Sequence, residues 1–248
     1  MTSTLSIDLN ADLGEGCGDD TALMPVLSSC NIACGGHAGD QETMAIAVAL
    51  AQQHGVAIGA HPSYPDRDGF GRRALDIEPA ALRASLLEQC RTLMDVGAQR
   101  GARIVHLKPH GALYNVAAQD EGQAHTIVAV AQELGLRLVG PPGGEMRRLA
   151  GTMGVPYTAE GFADRQYDGD GQLVSRQLDG SVFHEVETQV TQALALARGD
   201  RLEPRGGGAL SLRVETICVH GDTPGAVDAA KAIRCALENS NISIRSVQ

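Results

Sequence analysis

The sequence predicts an α/β chain folded as a distorted (β/α) barrel with about seven parallel strands, on the pattern of its apolar runs. Three observations carry that expectation. Short β-like runs alternate with helix-like runs along nearly the whole 248 residues. Most of the strand runs are continuously apolar rather than alternating, as strands covered on both faces are. Polar, often glycine-bearing motifs follow nearly every run, which suits a barrel rim better than the single crevice of an open doubly wound sheet.

In chain order, strands are expected at 5–9, 27–33, 56–60, 103–107, 137–140, 155–159 and 214–219. The helix expected over 40–54 places Met44, Ala47, Val48 and Ala51 on one side, and that over 79–100 places Leu82, Leu86, Cys90, Leu93 and Met94 together. Further helices are expected at 121–134, 183–198 and 224–238, the last with Asp222 as an acid cap and Pro224 in its first turn. Two segments break the rhythm, a hairpin-like excursion at 166–180 and a glycine-rich loop at 199–209. Neither has the composition of a linker, so residues 1–248 read as a single domain.

Composition narrows the function classes. Apolar residues make up 43% and the mean hydropathy is -0.08, values of an ordinary globular chain with no membrane-spanning run. The net charge is -10, and Lys108 and Lys231 are the only lysines, so no basic cluster exists to neutralise nucleic-acid phosphates. The first residues carry neither a basic region nor an apolar signal core, which reads as cytoplasmic. The six cysteines include no CxxC pair. Cys30 and Cys34 lie in or beside an apolar run near His37, where thiols act as small hydrophobes more readily than as zinc ligands.

The chemistry is concentrated at the strand ends. The run 31–40 ends an apolar strand in glycines, His37 and Asp40. Alternation puts Asp8, Asn10 and Asp12 on one side of an extended chain, a placement suited to a metal or a proton network. His61 follows the third strand, with Arg72 beyond it, and His37, His61 and an aspartate reaching one rim resemble a hydrolytic metal set. After the fourth strand, Lys108 demands a facing carboxylate or an anionic substrate, and His110 is a candidate general acid or base. Glu160, Asp164 and Arg165 follow the sixth strand and His220 the seventh, as a rim salt-bridge network or as substrate contacts. No GxxxxGK[ST] loop, GxSxG elbow or GxGxxG after the first strand is present.

The runs at 8–15, 31–40, 59–73 (GAHPSYPDRDGFGRR), 108–115 (KPHGALYN), 162–165 and 218–222 resemble the LamB/YcsF family, in order and over almost the whole chain. The resemblance implies a distorted barrel similar to the glycoside hydrolase and deacetylase fold. It also implies the A subunit of an ATP-dependent 5-oxoprolinase, opening 5-oxo-L-proline to L-glutamate with partner subunits B and C. On that reading Asp12, His61, Lys108 and His110 are catalytic; Asn10, Asn31, Arg72, Tyr114, Glu160, Arg165 and His220 bind substrate; and Asp12, His37 and His61 hold a divalent metal. The alternatives are a metal-dependent deacetylase or amidohydrolase working without ATP, and a non-catalytic lactam-binding regulatory component. Gly36 stands where the family usually carries an aromatic, a change expected to alter the pocket. Cys17 stands where the family more usually has a small hydroxyl residue, and Gly161 where it commonly has a β-branched one.

Overall fold

The computed structural model describes residues 5–221 and 225–246; Asp222 and Pro224, expected to cap the last helix, lie outside the described residues. The apolar runs fold as parallel strands β1 (Ser6–Leu13), β2 (Ser29–Ala33), β3 (Ala57–His61), β4 (Ile104–Leu107), β5 (Arg137–Gly140) and β6 (Tyr157–Phe162). A two-residue pair, β7 (Arg201–Leu202) and β8 (Leu210–Ser211), is followed by β9 (Thr216–Cys218) and β10 (Ser243–Ile244). The order β1-β2-β3-β4-β5-β6-β9 closes on itself because β9 also pairs with β1, so seven parallel strands form a barrel. β10 pairs with the first residues of β1, Ser6 and Ile7.

Helices cover the outside: α1 (Asp20–Leu23), α2 (Gln41–His54), α3 (Pro79–Gln99), α4 (Gly111–Ala117), α5 (Glu121–Leu134), α6 (Glu145–Met153), α7 (Val186–Arg198) and α8 (Ala226–Asn239). Their ends follow capping chemistry. Asp40 accepts from Thr43 N in a capping box, and Gly55 takes the left-handed C-cap at φ 66. The apolar faces named from the sequence are buried, Met44, Val48, Leu82, Leu86 and Leu93 among them.

The boundaries differ where polarity and apolarity mix. β1 runs on to Leu13 and β6 to Phe162, because Asn10, Asp12 and Glu160 are strand residues whose side chains turn to the barrel interior. The short α1, α4, α6 and β10 had no expected counterpart: elements of one or two turns carry too little periodicity to read. The excursion is hairpin-like, with antiparallel bridges Arg165↔Val182 and Tyr167↔Leu173, and the glycine-rich loop is bracketed by β7 and β8.

Odd residues of β1, such as Leu9, Ala11 and Leu13, join the apolar layer between strands and helices. Even residues join a polar interior. Asp8 accepts hydrogen bonds from Ser28 Oγ (2.6 Å), Ser29 Oγ (2.7 Å) and Thr216 Oγ1 (2.5 Å). One level up, His106 fills the space that Gly59 leaves open, since a Cβ at residue 59 would collide with the imidazole. A buried polar interior holds only when its donors and acceptors are matched. No helix among the described residues is long and apolar enough to cross a membrane.

Gly59→Ala is expected to destabilise the fold by about 1–3 kcal/mol through overpacking. Urea unfolding checks this, and the cost is expected to shrink in a His106→Ala background if the two positions share that space.

Candidate active site

At the C-terminal ends of the strands the polar interior opens into a cavity of about 450 Å³. Its floor is Lys108, only 2% exposed. The ammonium lies 2.9 Å from Asp12 Oδ1 and 2.9 Å from Glu160 Oε1, and 3.2 Å from Cys218 Sγ. Of the two partners foreseen for this lysine, carboxylate or anionic substrate, the fold supplies carboxylates. Burial alone would push Lys108 down, but Asp12, Cys218 and Glu160 outweigh it and hold the ammonium charged.

The two carboxylates diverge. Burial would raise Asp12, yet His61 and Lys108 hold it well below the usual carboxylate range. Glu160 is raised by burial, with Lys108 opposing. Environments that push two acids apart separate a standing base from a proton carrier. Glu160 Oε2 and Tyr114 Oη are both buried without a hydrogen-bond partner.

A relay of amides sets both acids from below. Asn31 Nδ2 donates to Asp12 Oδ1 (2.8 Å) and to Asn10 Oδ1 (2.8 Å), while its own Oδ1 accepts from His106 Nε2 (2.8 Å). Asn10 Nδ2 donates to Glu160 Oε1 (3.0 Å) and Thr216 Oγ1 (2.6 Å). Asn10, Asn31 and Glu160, expected at the substrate, therefore sit one layer beneath the cavity and do not line it.

Beside Lys108 stands a cluster of imidazoles. His61 Nδ1 donates to Lys108 O (2.8 Å) and His110 Nε2 donates to Phe70 O (2.9 Å), which fixes their tautomers. Their remaining nitrogens, His61 Nε2 and His110 Nδ1, then face each other at 3.0 Å with lone pairs. Two lone pairs so close repel unless a proton or a cation lies between them. Glu15 Oε1 completes the group, 3.1 Å from His37 Nε2, 3.5 Å from His110 Nδ1 and 3.9 Å from His61 Nε2. His37 and His110 stack at 3.7 Å. Burial lowers His37, with Glu15 opposing, and lowers His110 well below the usual imidazole range with help from His61 and His37.

The donor atoms of Glu15, His37, His61 and His110 lie within 4.8 Å of one another, a set that can hold a divalent cation. Backbone carbonyls orienting the far nitrogens of His61 and His110 are the usual support for metal-binding imidazoles. The expected set of Asp12, His37 and His61 shares two members with this cluster. Asp12 instead groups with Cys218 and His220, though its Oδ2 remains 3.3 Å from His61 Nε2.

Around the cavity wall, Asp164 accepts from His220 Nδ1 (2.7 Å), and the His220 ring stacks on Phe162 at 5.4 Å. Arg72, Tyr114, Arg165 and His220 all line the cavity, as does Arg176 from the excursion. Glu15, Phe162 and Arg176 were not among the expected site residues. Glu15 and Phe162 lay inside motifs already noted, whereas nothing local marked Arg176, which arrives through the excursion. Gly36, in contrast, packs against Gln89 and Ser63 and is not among the residues that line the cavity. Cys30 and Cys34 are buried thiols pushed up by desolvation, Cys34 to about 12, and so poor metal ligands.

The chain is thus a closed parallel β/α-barrel with acids, imidazoles and a buried lysine gathered at its C-terminal rim. The LamB/YcsF family model matches residues 7–248, and the chain belongs to that family. It is 43% identical over 245 residues to the A subunit of 5-oxoprolinase from Streptomyces avermitilis, covering 96% of this chain and 98% of that one. A lactam utilization protein from Thermus thermophilus superposes with a TM-score of 0.92 at 36% identity, over 98% of this chain and 100% of its own. A peptidoglycan N-acetylglucosamine deacetylase shares the fold alone, with a TM-score of 0.53 at 15% identity, over 98% of this chain and 86% of its own.

Incubation with Zn²⁺ or Co²⁺ followed by dialysis is expected to leave one ion per chain, and His61→Ala or Glu15→Ala to lose it, as read by elemental analysis. Because burial lowers His37 and His110, protons should displace that ion only below the ordinary imidazole range near pH 6.5. A metal titration repeated across pH checks this.

Proposed function

We propose that this chain is the lactam-opening component of an ATP-dependent 5-oxoprolinase, converting 5-oxo-L-proline to L-glutamate together with partner subunits B and C. The observation that carries the reading is end-to-end likeness, at 43% identity, to a protein named as the A subunit of 5-oxoprolinase. The site chemistry is compatible with it. A lactam carbonyl is a poor electrophile because the amide is resonance-stabilised. Transfer of the ATP γ-phosphoryl to the amide oxygen makes the ring carbon attackable. Water then adds to that carbon, and the C–N bond breaks as the nitrogen takes a proton. A second water releases phosphate from the resulting acyl phosphate, leaving glutamate. The chain has no phosphate loop of its own, which suits nucleotide chemistry that depends on the partners.

In this reading Asp12, ionised beside Lys108 and His61, accepts the proton of the attacking water. Lys108 steadies the developing oxyanion, and Glu160, one layer beneath the cavity, holds the ammonium in place from 2.9 Å. When no ion occupies the cluster, His110 Nδ1 moves protons between His61 and the cavity. Glu15, His37, His61 and His110 would hold a divalent ion, which would supply Lewis acidity toward the attacking water. The donor cluster on its own favours a second reading, a metal-dependent amidohydrolase needing no ATP.

Glutamate release from 5-oxo-L-proline is expected only with ATP and both partner subunits present. Lys108→Ala and His61→Ala are each expected to lower that rate by about 10²-fold or more, the scale of losing one oxyanion or proton-transfer group. Full activity in both variants would remove the site assignment, and release without ATP would favour the amidohydrolase.

A further inference from the structure

The two oxygens of Glu160 are treated unequally. Oε1 lies 2.9 Å from Lys108 Nζ and accepts from Asn10 Nδ2 (3.0 Å). Oε2 is buried and takes part in no hydrogen bond. A buried carboxylate oxygen is costly unless something donates to it. The phenol of Tyr114 is in the same position, its Oη buried and without a partner.

Both residues line a small chamber behind the cavity wall, with Pro141, Tyr167 and Gln172 on its other sides. Tyr114, Phe162 and Leu173 line chamber and cavity alike, so they form the partition between the two. The chamber leaves space for the centre of a water molecule over about 10 Å³, enough for one. Tyr167 adds a third group. Its Oη accepts from Phe162 N at 2.7 Å, so its hydroxyl proton is available to another acceptor. Burial first, and then the charge of Glu160, push Tyr114 and Tyr167 up, so each phenol keeps a proton to donate.

We propose that Tyr114 and Tyr167 are positioning residues, which hold Glu160 through one ordered water in this chamber and so aim its Oε1 at the Lys108 ammonium. The water accepts from both phenols and donates to Glu160 Oε2, and three hydrogen bonds are usual for a buried water. Water suits the chamber better than a metal ion, because the Lys108 ammonium already lies on the same carboxylate and the other two groups are neutral phenols. The hydroxyl of Tyr114 therefore serves the acid beneath the cavity rather than the substrate, although its ring borders the cavity. The water site stands on geometry; its effect on turnover rests on the oxoprolinase reading.

Crystal structures of the chain and of Tyr114→Phe decide the matter. The unaltered chain is expected to show one water within hydrogen-bonding distance of Glu160 Oε2, Tyr114 Oη and Tyr167 Oη. Tyr114→Phe removes no direct hydrogen bond and should fold. It is expected to lose that water and let Glu160 turn, so that the contact with Lys108 lengthens from 2.9 Å. A chamber without water in the unaltered chain, or an unmoved Glu160 in the variant, overturns the proposal. In the full complex with ATP, Tyr114→Phe is expected to lower kcat about tenfold, the scale of one lost hydrogen bond, with KM for 5-oxo-L-proline unchanged. An unchanged kcat, or a KM that rises in its place, would overturn the positioning role. The two readings fail separately. The ordered water and its loss in the variant, without glutamate from the unaltered complex, would sink the oxoprolinase reading alone. Glutamate from that complex, with no water in the chamber, would sink the positioning role alone.

Discussion

The rest of the interior depends on one constraint, an ammonium group enclosed in a barrel. Lys108 can be charged there only because Asp12 and Glu160 face it, and those carboxylates can be buried only because amides hold them. Asn31 serves Asp12, Asn10 serves Glu160, His106 serves Asn31, and Gly59 yields the space that His106 occupies. A barrel of this kind is ordinarily filled by branched apolar side chains. Here the helices and outward strand faces provide the apolar burial, and the interior is given over to a matched polar column.

That division explains how much was legible beforehand. The parallel barrel was readable because the strands are apolar runs at regular spacing, and the helix faces because their period is long enough to see. Lys108, His61 and Asp12 were readable because charged or imidazole groups directly beside apolar runs have few bland explanations. The layer beneath was not. Asn10 and Asn31 look like substrate contacts when only the rim is considered, and their downward role appears once β2 and β6 are set on either side of the network. Glu15 was passed over because a glutamate next to Gly14 and Gly16 reads as a solvated turn, although three imidazoles converge on it.

The imidazole cluster and the lysine are two charge systems that share a wall. His61 joins them, its Nδ1 on the Lys108 carbonyl and its Nε2 near both Asp12 and Glu15. A proton gained on one side therefore changes the field on the other.

The way β1 is paired has a consequence for how the chain is made. Asp8 meets Thr216 across 208 residues of sequence, and β10 pairs with the start of the same strand. The first strand is thus synthesised long before the last strands that complete its pairing. Until the carboxyl-terminal segment leaves the ribosome, Asp8 and Asn10 lack the hydroxyl that joins them, and the barrel cannot close. Contacts of such sequence separation are slow to form. A nascent chain must therefore keep an acidic strand waiting in water, and the strong polarity of that strand's inward face suits it to the wait.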